Sequence, residues 1–269
     1  MNLMLKANPN PNPNPKDDAK KTRTVDLGNG SSVIYVPRFL AYDVAWEFFN
    51  YLDNHIPWTR PTLRVFGRSC TQPRDTCYVA SAGLPDLIYS GYQPHAYSWD
   101  DFPPLKDILD AVSMRSSHLT CVFVVPSLVR SNVFACLLKV HKMLPGSTFN
   151  SLLLNRYKGG NNYVGWHSDD EKLYGSTPEI ASVSFGCERD FILKKKSGKS
   201  SQERRSDDKP PLKRSRKSSQ DDQHSFMLKH GSLLVMRGNT QRDWLHSVPK
   251  RAKVETIRIN LTFRLVLQE

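Results

Sequence analysis

The spacing of hydrophobic residues changes along the chain, and with it the predicted elements. Across residues 41–55, Trp46, Phe49, Tyr51 and Leu52 group near one face of a 3.6-residue repeat, which predicts an amphipathic helix. Residues 105–111 carry the same signature. Residues 62–92 read as short strand-like runs cut by Gly, Pro and Asp. From Phe149 onward apolar runs alternate with turn residues, predicting strands at 151–157, 180–185, 190–194, 225–228, 232–237 and 256–267. Many short strands with turns between them predict a mainly β architecture with flanking helices, either a sandwich or a barrel.

Three stretches break this texture. Residues 1–20 are rich in Asn, Pro and Lys, and the Pro-Asn alternation from Pro9 to Pro15 blocks helix and ladder alike. A disordered tail is therefore expected over residues 1–30. Residues 194–224 are dense in Lys, Arg, Ser and Asp, so 197–224 is expected to be a solvated loop between two strands. Residues 112–139 follow a helix and interrupt it; without them Ala111 would join Val140 in one amphipathic helix ending at Pro145-Gly146. They read as an insertion within an N-terminal region spanning 31–148, ahead of a core spanning 149–269.

Charge narrows the partner. The 269 residues include 38 Lys and Arg against 26 Asp and Glu, a net charge of +12. The loop 197–224 holds eight basic and five acidic residues, which leaves about +9 for the rest, so the folded part is itself basic. A polyanion such as nucleic acid is the expected partner. No apolar run reaches membrane-span length. The cluster Lys213-Arg214-Ser215-Arg216-Lys217 sets an expectation of nuclear import. Five scattered cysteines without a CxxC pair, and no signal-peptide pattern, predict reduced thiols in cytosol or nucleus and no cysteine-based zinc site.

The chemistry concentrates around Gly165-Trp166-His167-Ser168-Asp169-Asp170-Glu171. On an extended strand, His167 and Asp169 leave on the same face, so an imidazole nitrogen and a carboxylate oxygen can reach one divalent metal. His246 is the natural third ligand, with His230 and His224 as competitors. Two histidines and one carboxylate form a facial triad that leaves positions open for oxidant and co-substrate. Further on, Arg258, Asn260, Thr262 and Arg264 share one strand face, while Ile259, Leu261, Phe263 and Leu265 share the other. Two guanidiniums on an inward polar face require anions, and a dicarboxylate co-substrate supplies two. Structural salt bridges to Asp or Glu are the alternative for either arginine alone.

Over roughly residues 63–266, apart from 112–139 and the basic loop 194–224, the chain resembles the AlkB family of alkylation-repair dioxygenases, and most of all its eukaryotic nuclear branch that acts on duplex DNA. The resemblance rests on Asn155-Arg156-Tyr157, His167 through Glu171, Ala181 through Gly186, His230 through Leu234, His246-Ser247-Val248-Pro249, and Arg258 through Arg264, in that order. It implies a double-stranded β-helix, or jelly-roll, preceded by a nucleotide-recognition extension. Iron(II) would be held by His167, Asp169 and His246, and 2-oxoglutarate would be the co-substrate. Arg264 and Asn155 would hold its keto-acid end; Arg258 and Tyr157, with Asn260 nearby, would grip its distal carboxylate. The implied reaction is oxidative demethylation of N1-methyladenine and N3-methylcytosine lesions, releasing formaldehyde and succinate. A base in a duplex must be flipped out to react. Phe66 would fill the vacated stack, Tyr89 would stack on the flipped base opposite His167, and Asp170 and Glu171 would face its exocyclic amine. Arg74, Lys250, Arg251 and Lys253 would face DNA. A monomer is expected. The alternatives are an RNA demethylase and a nucleic-acid-binding module without turnover.

Overall fold

The first strand lies where a tail is expected. The computed structural model describes residues 22–65, 67–88, 91–113, 147–197 and 222–268. Within it β1 (Arg23–Gly28) and β2 (Ser31–Val36) form an antiparallel hairpin. The two residues between them, Asn29 and Gly30, have φ of 52° and 70°. That is the turn an Asn-Gly pair favours, because both positions need the left-handed region. The tail expectation carried the Pro-Asn pattern too far, past a hairpin signal at residues 29–30.

Next come α1 (Tyr42–His55), the hairpin β3 (Thr62–Val65) and β4 (Arg68–Thr71), β5 (Asp75–Ala80), β6 (Ala96–Tyr97) and α2 (Pro103–Ser113). The remaining elements are β7 (Ser151–Tyr157), β8 (Val164–His167), β9 (Ile180–Gly186), β10 (Arg189–Lys195), β11 (Gln223–Leu228), β12 (Ser232–Gly238), α3 (Thr240–Asp243), β13 (Trp244–Val248) and β14 (Arg258–Arg264). The proposed insertion lies outside the described residues except where α2 runs on to Ser113. Most of the basic loop also lies outside them. Its last two residues instead extend a strand: Gln223 pairs with Lys194 and His224 with Leu193, and the His224 ring packs 5.3 Å from that of Trp244.

The strands make an eight-stranded sheet ordered β1-β2-β12-β9-β14-β7-β5-β6 and a four-stranded sheet ordered β11-β10-β13-β8, with β3-β4 apart. This mainly β arrangement is consistent with the expected jelly-roll. Two-residue alternation on the central strands builds two cores. Ile259, Leu261 and Phe263 of β14, with Ala181, Val183 and Phe185 of β9, face the helices and pack with Val44, Phe48 and Leu52 of α1 and Leu105 and Ile108 of α2. Each fully buried Val, Leu, Ile or Phe among them contributes about 1.5–3 kcal/mol. A second cluster joins the sheets: Val33, Ile180, Leu234 and Met236 from the large one meet Phe191, Leu193, Phe226, Leu228, Trp244 and Val248 from the small one. The polar faces of β9 and β14 look into the same inter-sheet space, and there the site forms.

Candidate active site

His167 ends β8, and its Cα partner across the ladder is His246 of β13. This pairing places two imidazoles side by side, with ring centroids 4.2 Å apart. Asp169 lies just beyond the strand, not on it as the sequence argument assumed, yet its carboxylate still reaches both rings. Oδ1 is 4.0 Å from His167 Nε2 and Oδ2 is 3.8 Å from His246 Nε2. One ligand atom from each of the three residues falls within 4.8 Å of the others. His167 Nδ1 lies 2.9 Å from Gly165 O, and because a carbonyl only accepts, the proton belongs on Nδ1 and the lone pair on Nε2. Burial, then the neighbouring His167, pushes His246 down to about 3, so it is a neutral ligand at neutral pH. The competitors drop out. His230 accepts from the Gly186 amide at 2.8 Å and packs on Trp46, and His224 packs on Trp244.

The two arginines stand on β14 as its alternation predicts, both buried. Arg264 donates from Nη2 to Asp169 Oδ2 at 3.0 Å. Burial works against both charges, but their pairing outweighs it, holding the carboxyl well below the usual range and the guanidinium above its own. Arg258 donates from Nη2 to Asn260 Oδ1 at 2.7 Å and Ser184 Oγ at 3.1 Å, and its guanidinium lies over the Tyr157 ring at 5.0 Å. Asn260 also accepts at Oδ1 from Ser182 and Ser184, and its Nδ2 donates one bond to Thr262. It holds Arg258 in place and itself lines the cavity between the sheets. Arg258 Nε and Nη1 and Arg264 Nε are buried without a hydrogen-bond partner of normal geometry. Unspent donors of this kind are costly unless a ligand takes them. They line, with the triad, Asn155 and Tyr157, a cavity of about 240 Å³. An oxygen-rich dicarboxylate fits these donors, and a divalent metal fits the triad.

Residues 32–264 match the 2OG-Fe(II) oxygenase superfamily. The chain belongs to it. Fe(II) and 2-oxoglutarate are accordingly its metal and co-substrate, and the triad and the open guanidinium donors fit them. Over 251 residues it is 62% identical to DNA oxidative demethylase ALKBH2 of Arabidopsis thaliana, covering 93% of this chain and 71% of that protein. The Homo sapiens protein of the same name is 33% identical over 224 residues, covering 82% of this chain and 68% of that one. Alpha-ketoglutarate-dependent dioxygenase alkB homolog 3 of Homo sapiens is 43% identical over 121 residues, covering 45% of this chain and 38% of that protein. These relatives place the chain among the AlkB homologues, as the motifs imply.

Around the cavity the predicted contact residues divide. Glu171 lines the cavity, and its Oε2 is buried without a partner. Burial, then the nearby Asp169 charge, raises its carboxyl. Asp170 does not line the cavity; its exposed carboxylate accepts from Ser168 Oγ at 2.9 Å and Lys196 Nζ at 3.1 Å. Arg74 also lines the cavity and donates from Nε to Asn155 Oδ1 at 2.6 Å, joining the expected DNA side to the co-substrate side. Arg251 and Lys253 are exposed on the turn after β13, away from the cavity. There Arg251 Nη1 donates to Glu188 O at 2.8 Å, and Lys250 Nζ sits 5.0 Å from the Tyr163 ring centroid. Phe66 and Tyr89 lie outside the described residues.

Two supporting residues escaped the sequence reading. Arg189 is buried, and no carboxylate is paired with it among the described residues; it donates to Asn162 O at 2.9 Å, Pro249 O at 2.5 Å and Gly159 O at 3.5 Å. It pins the turn after β7 to the turn after β13. Those turns meet so closely that a Cβ on Gly160 would stand 1.8 Å from Arg251 O. Gln241 of α3 accepts from the Asp169 amide at 3.0 Å. A lone Arg or Gln in a strand-and-turn text carries no signal of such roles, because their partners are backbone atoms far away in sequence.

Proposed function

We propose that the chain removes alkyl groups oxidatively from damaged bases in DNA, of the N1-methyladenine and N3-methylcytosine type, working in the nucleus as a monomer. The observation that carries this reading is the company Glu171 keeps. Its unpartnered oxygen lines the same cavity as the His167–Asp169–His246 triad. Alkylation at those ring nitrogens makes the base cationic and removes its Watson–Crick pair. A carboxylate acceptor with a raised pKa suits the exocyclic amine of such a base, and an unpaired base costs less to flip. The relatives named DNA oxidative demethylase support the same substrate. The basic cluster at residues 213–217 supports nuclear import.

Within this reading the chain's own groups divide the work. His167, Asp169 and His246 would hold iron, and Arg258 and Arg264 would hold 2-oxoglutarate in line with it, assisted by Tyr157 and Asn155. When bound, iron and 2-oxoglutarate supply oxidation by O2: 2-oxoglutarate leaves as succinate and carbon dioxide, and the alkyl carbon gains a hydroxyl and departs as formaldehyde. Glu171 and His167 would orient the base so that its alkyl carbon faces the triad. With a base seated, the inter-sheet walls would limit water at the triad, which would strengthen each electrostatic contact inside. Phe66, Tyr89, Arg251 and Lys253 would act on the DNA around the flipped base.

The test is anaerobic reconstitution with iron(II), then incubation with 2-oxoglutarate, O2 and matched single-stranded, duplex and RNA oligonucleotides bearing one methylated base. Loss of the methyl group with formaldehyde release, abolished in Asp169→Ala, is the expected result, with duplex DNA the preferred form. Turnover confined to RNA would replace the DNA reading. Silence with every oligonucleotide, alongside normal metal and 2-oxoglutarate binding, would overturn the nucleic-acid substrate altogether.

A further inference from the structure

Asp169 is a metal ligand with little of its own to stand on. Strand β8 stops at His167, so no ladder bond holds the Asp169 backbone. Its carboxylate is tied to Arg264, and its amide donates to the side chain of Gln241. Gln241 is 1% exposed, and its other amide atom is also spent, with Nε2 donating to Met236 Sδ at 3.3 Å. These two contacts fix the amide orientation, with Oε1 toward Asp169. The Gln241 backbone carbonyl accepts from Lys196 Nζ at 2.9 Å, and the same ammonium holds Asp170. One residue thus contacts the ligand Asp169 directly and its neighbour through one lysine.

The turn that carries Gln241 is itself braced. Thr240 Oγ1 donates to Arg237 O at 2.5 Å and lies 3.3 Å from Ser32 O, and the Asn239 amide nitrogens reach Gly30 O at 3.3 Å and Asn29 O at 2.7 Å. Asn29 returns a bond from Nδ2 to Asp243 Oδ2 at 2.7 Å. The β1-β2 turn at Asn29-Gly30 lies outside the residues that match the superfamily, 32–264, yet it holds α3 in place. Immediately after α3 comes β13, which carries His246. The same short turn therefore sets the start of one ligand strand and the backbone of another ligand.

We propose that Gln241 is a positioning residue for the metal centre: its Oε1 fixes the Asp169 backbone so that the carboxylate faces His167 and His246, with the N-terminal hairpin as its brace. Groups that orient ligands commonly change metal affinity about 10- to 100-fold when lost. The inference rests on the iron site and is independent of the substrate.

Cobalt(II) titration of the metal-free full chain, followed by visible absorption, is the experiment. Wild type, Gln241→Met and Gln241→Glu are compared, with thermal melting of each metal-free protein recorded alongside. Methionine keeps the bulk and removes the acceptor; glutamate keeps an acceptor. The expected result is about tenfold weaker cobalt binding with an altered spectrum in Gln241→Met, and at least wild-type affinity in Gln241→Glu. A merely structural role would lower the melting temperature and leave affinity and spectrum unchanged, which overturns the proposal. Equal weakening in both variants overturns it too, since packing rather than the acceptor would then be at work. Should Gln241→Met fail to fold, Gln241→Asn, one methylene too short to reach the amide, is judged by the same criterion. If the wild type itself binds no cobalt, the iron reading fails and this inference falls with it, whereas cobalt binding that is unchanged by Gln241→Met overturns this inference alone.

Discussion

The floor of the cavity and its rim are built on different terms. At the floor, Arg258, Asn260, Arg264 and His246 are buried, the first three on β14, whose ladders to β7 and β9 run without a break. On the rim, Arg251 and Lys253 occupy an exposed turn held mainly by bonds to backbone carbonyls. A strand fixes direction through its two-residue period, so floor residues are preorganised before any ligand arrives. A turn fixes only its ends. The contrast suits a site whose small co-substrate never changes and whose large substrate must be admitted and released.

The largest expected effect separates the two floor arginines. In Arg258→Met the protein loses a buried charge with no carboxylate partner among the described residues, so the metal-free fold should hold or gain stability. In Arg264→Met the Asp169 carboxylate loses its ion pair in a buried setting, and the metal-free fold should lose about 3–5 kcal/mol. Both variants should bind 2-oxoglutarate at least about 100-fold more weakly, since removing one partner of a buried ionic contact costs that much. Thermal melts of the metal-free proteins and calorimetric titration with 2-oxoglutarate and manganese(II) read the two quantities. Equal loss of stability in both would sink the distinction between a paired and a waiting arginine.

How much of this the sequence disclosed follows the same division. The floor was legible because periodicity encodes it: the Arg258–Arg264 alternation and the His167–Asp169 spacing state which side chains share a face. Even the error over Asp169, assigned to a strand it narrowly misses, left the ligand set intact. The rim was less legible, because turns carry no period. Adjacent Asp170 and Glu171 look equivalent in the sequence, yet one is tied to Lys196 and the other faces the cavity. The N-terminal hairpin was missed although its Asn29-Gly30 turn is a strong local signal, because the composition of residues 1–20 dominated the reading. Gln241 and Arg189 were illegible for a deeper reason. They serve backbone atoms brought together only by the tertiary fold.

A middle-sized effect is expected where the rim is pinned. Arg189→Met would leave the carbonyls of Gly159, Asn162 and Pro249 without their donor, at about 1–3 kcal/mol for each that water cannot reach. Both turns would loosen, and with them the placement of Arg251 and Lys253. KM for duplex substrate should rise about tenfold, the equivalent of about 1.4 kcal/mol, while 2-oxoglutarate affinity stays within about threefold of wild type. Steady-state kinetics in both substrates makes the comparison. Equal weakening of 2-oxoglutarate would mean that floor and rim are one mechanical unit, joined through Tyr157, over whose ring both Arg189 and Arg258 lie.

The smallest effect tests what the rim charge does. Lys253 has φ of 66°, a region costly for a side-chain-bearing residue and free for glycine. Lys253→Gly relieves that strain but adds freedom to the unfolded chain, two terms of about 1 kcal/mol that nearly cancel. Lys253→Ala keeps the strain, so it should melt no higher than the glycine variant. Both remove the same charge. If Lys253 meets a phosphate, the slope of log affinity for duplex against log salt falls by about 0.9 in both, whatever their melting temperatures. If it only forms the turn, the slope stays at the wild-type value and only stability moves. Fluorescence anisotropy across a salt series decides between them. A slope that drops in both variants, with the glycine variant as stable as wild type, would make the rim electrostatic where the floor is bonded: a surface that senses the backbone of its substrate while leaving base choice to the cavity.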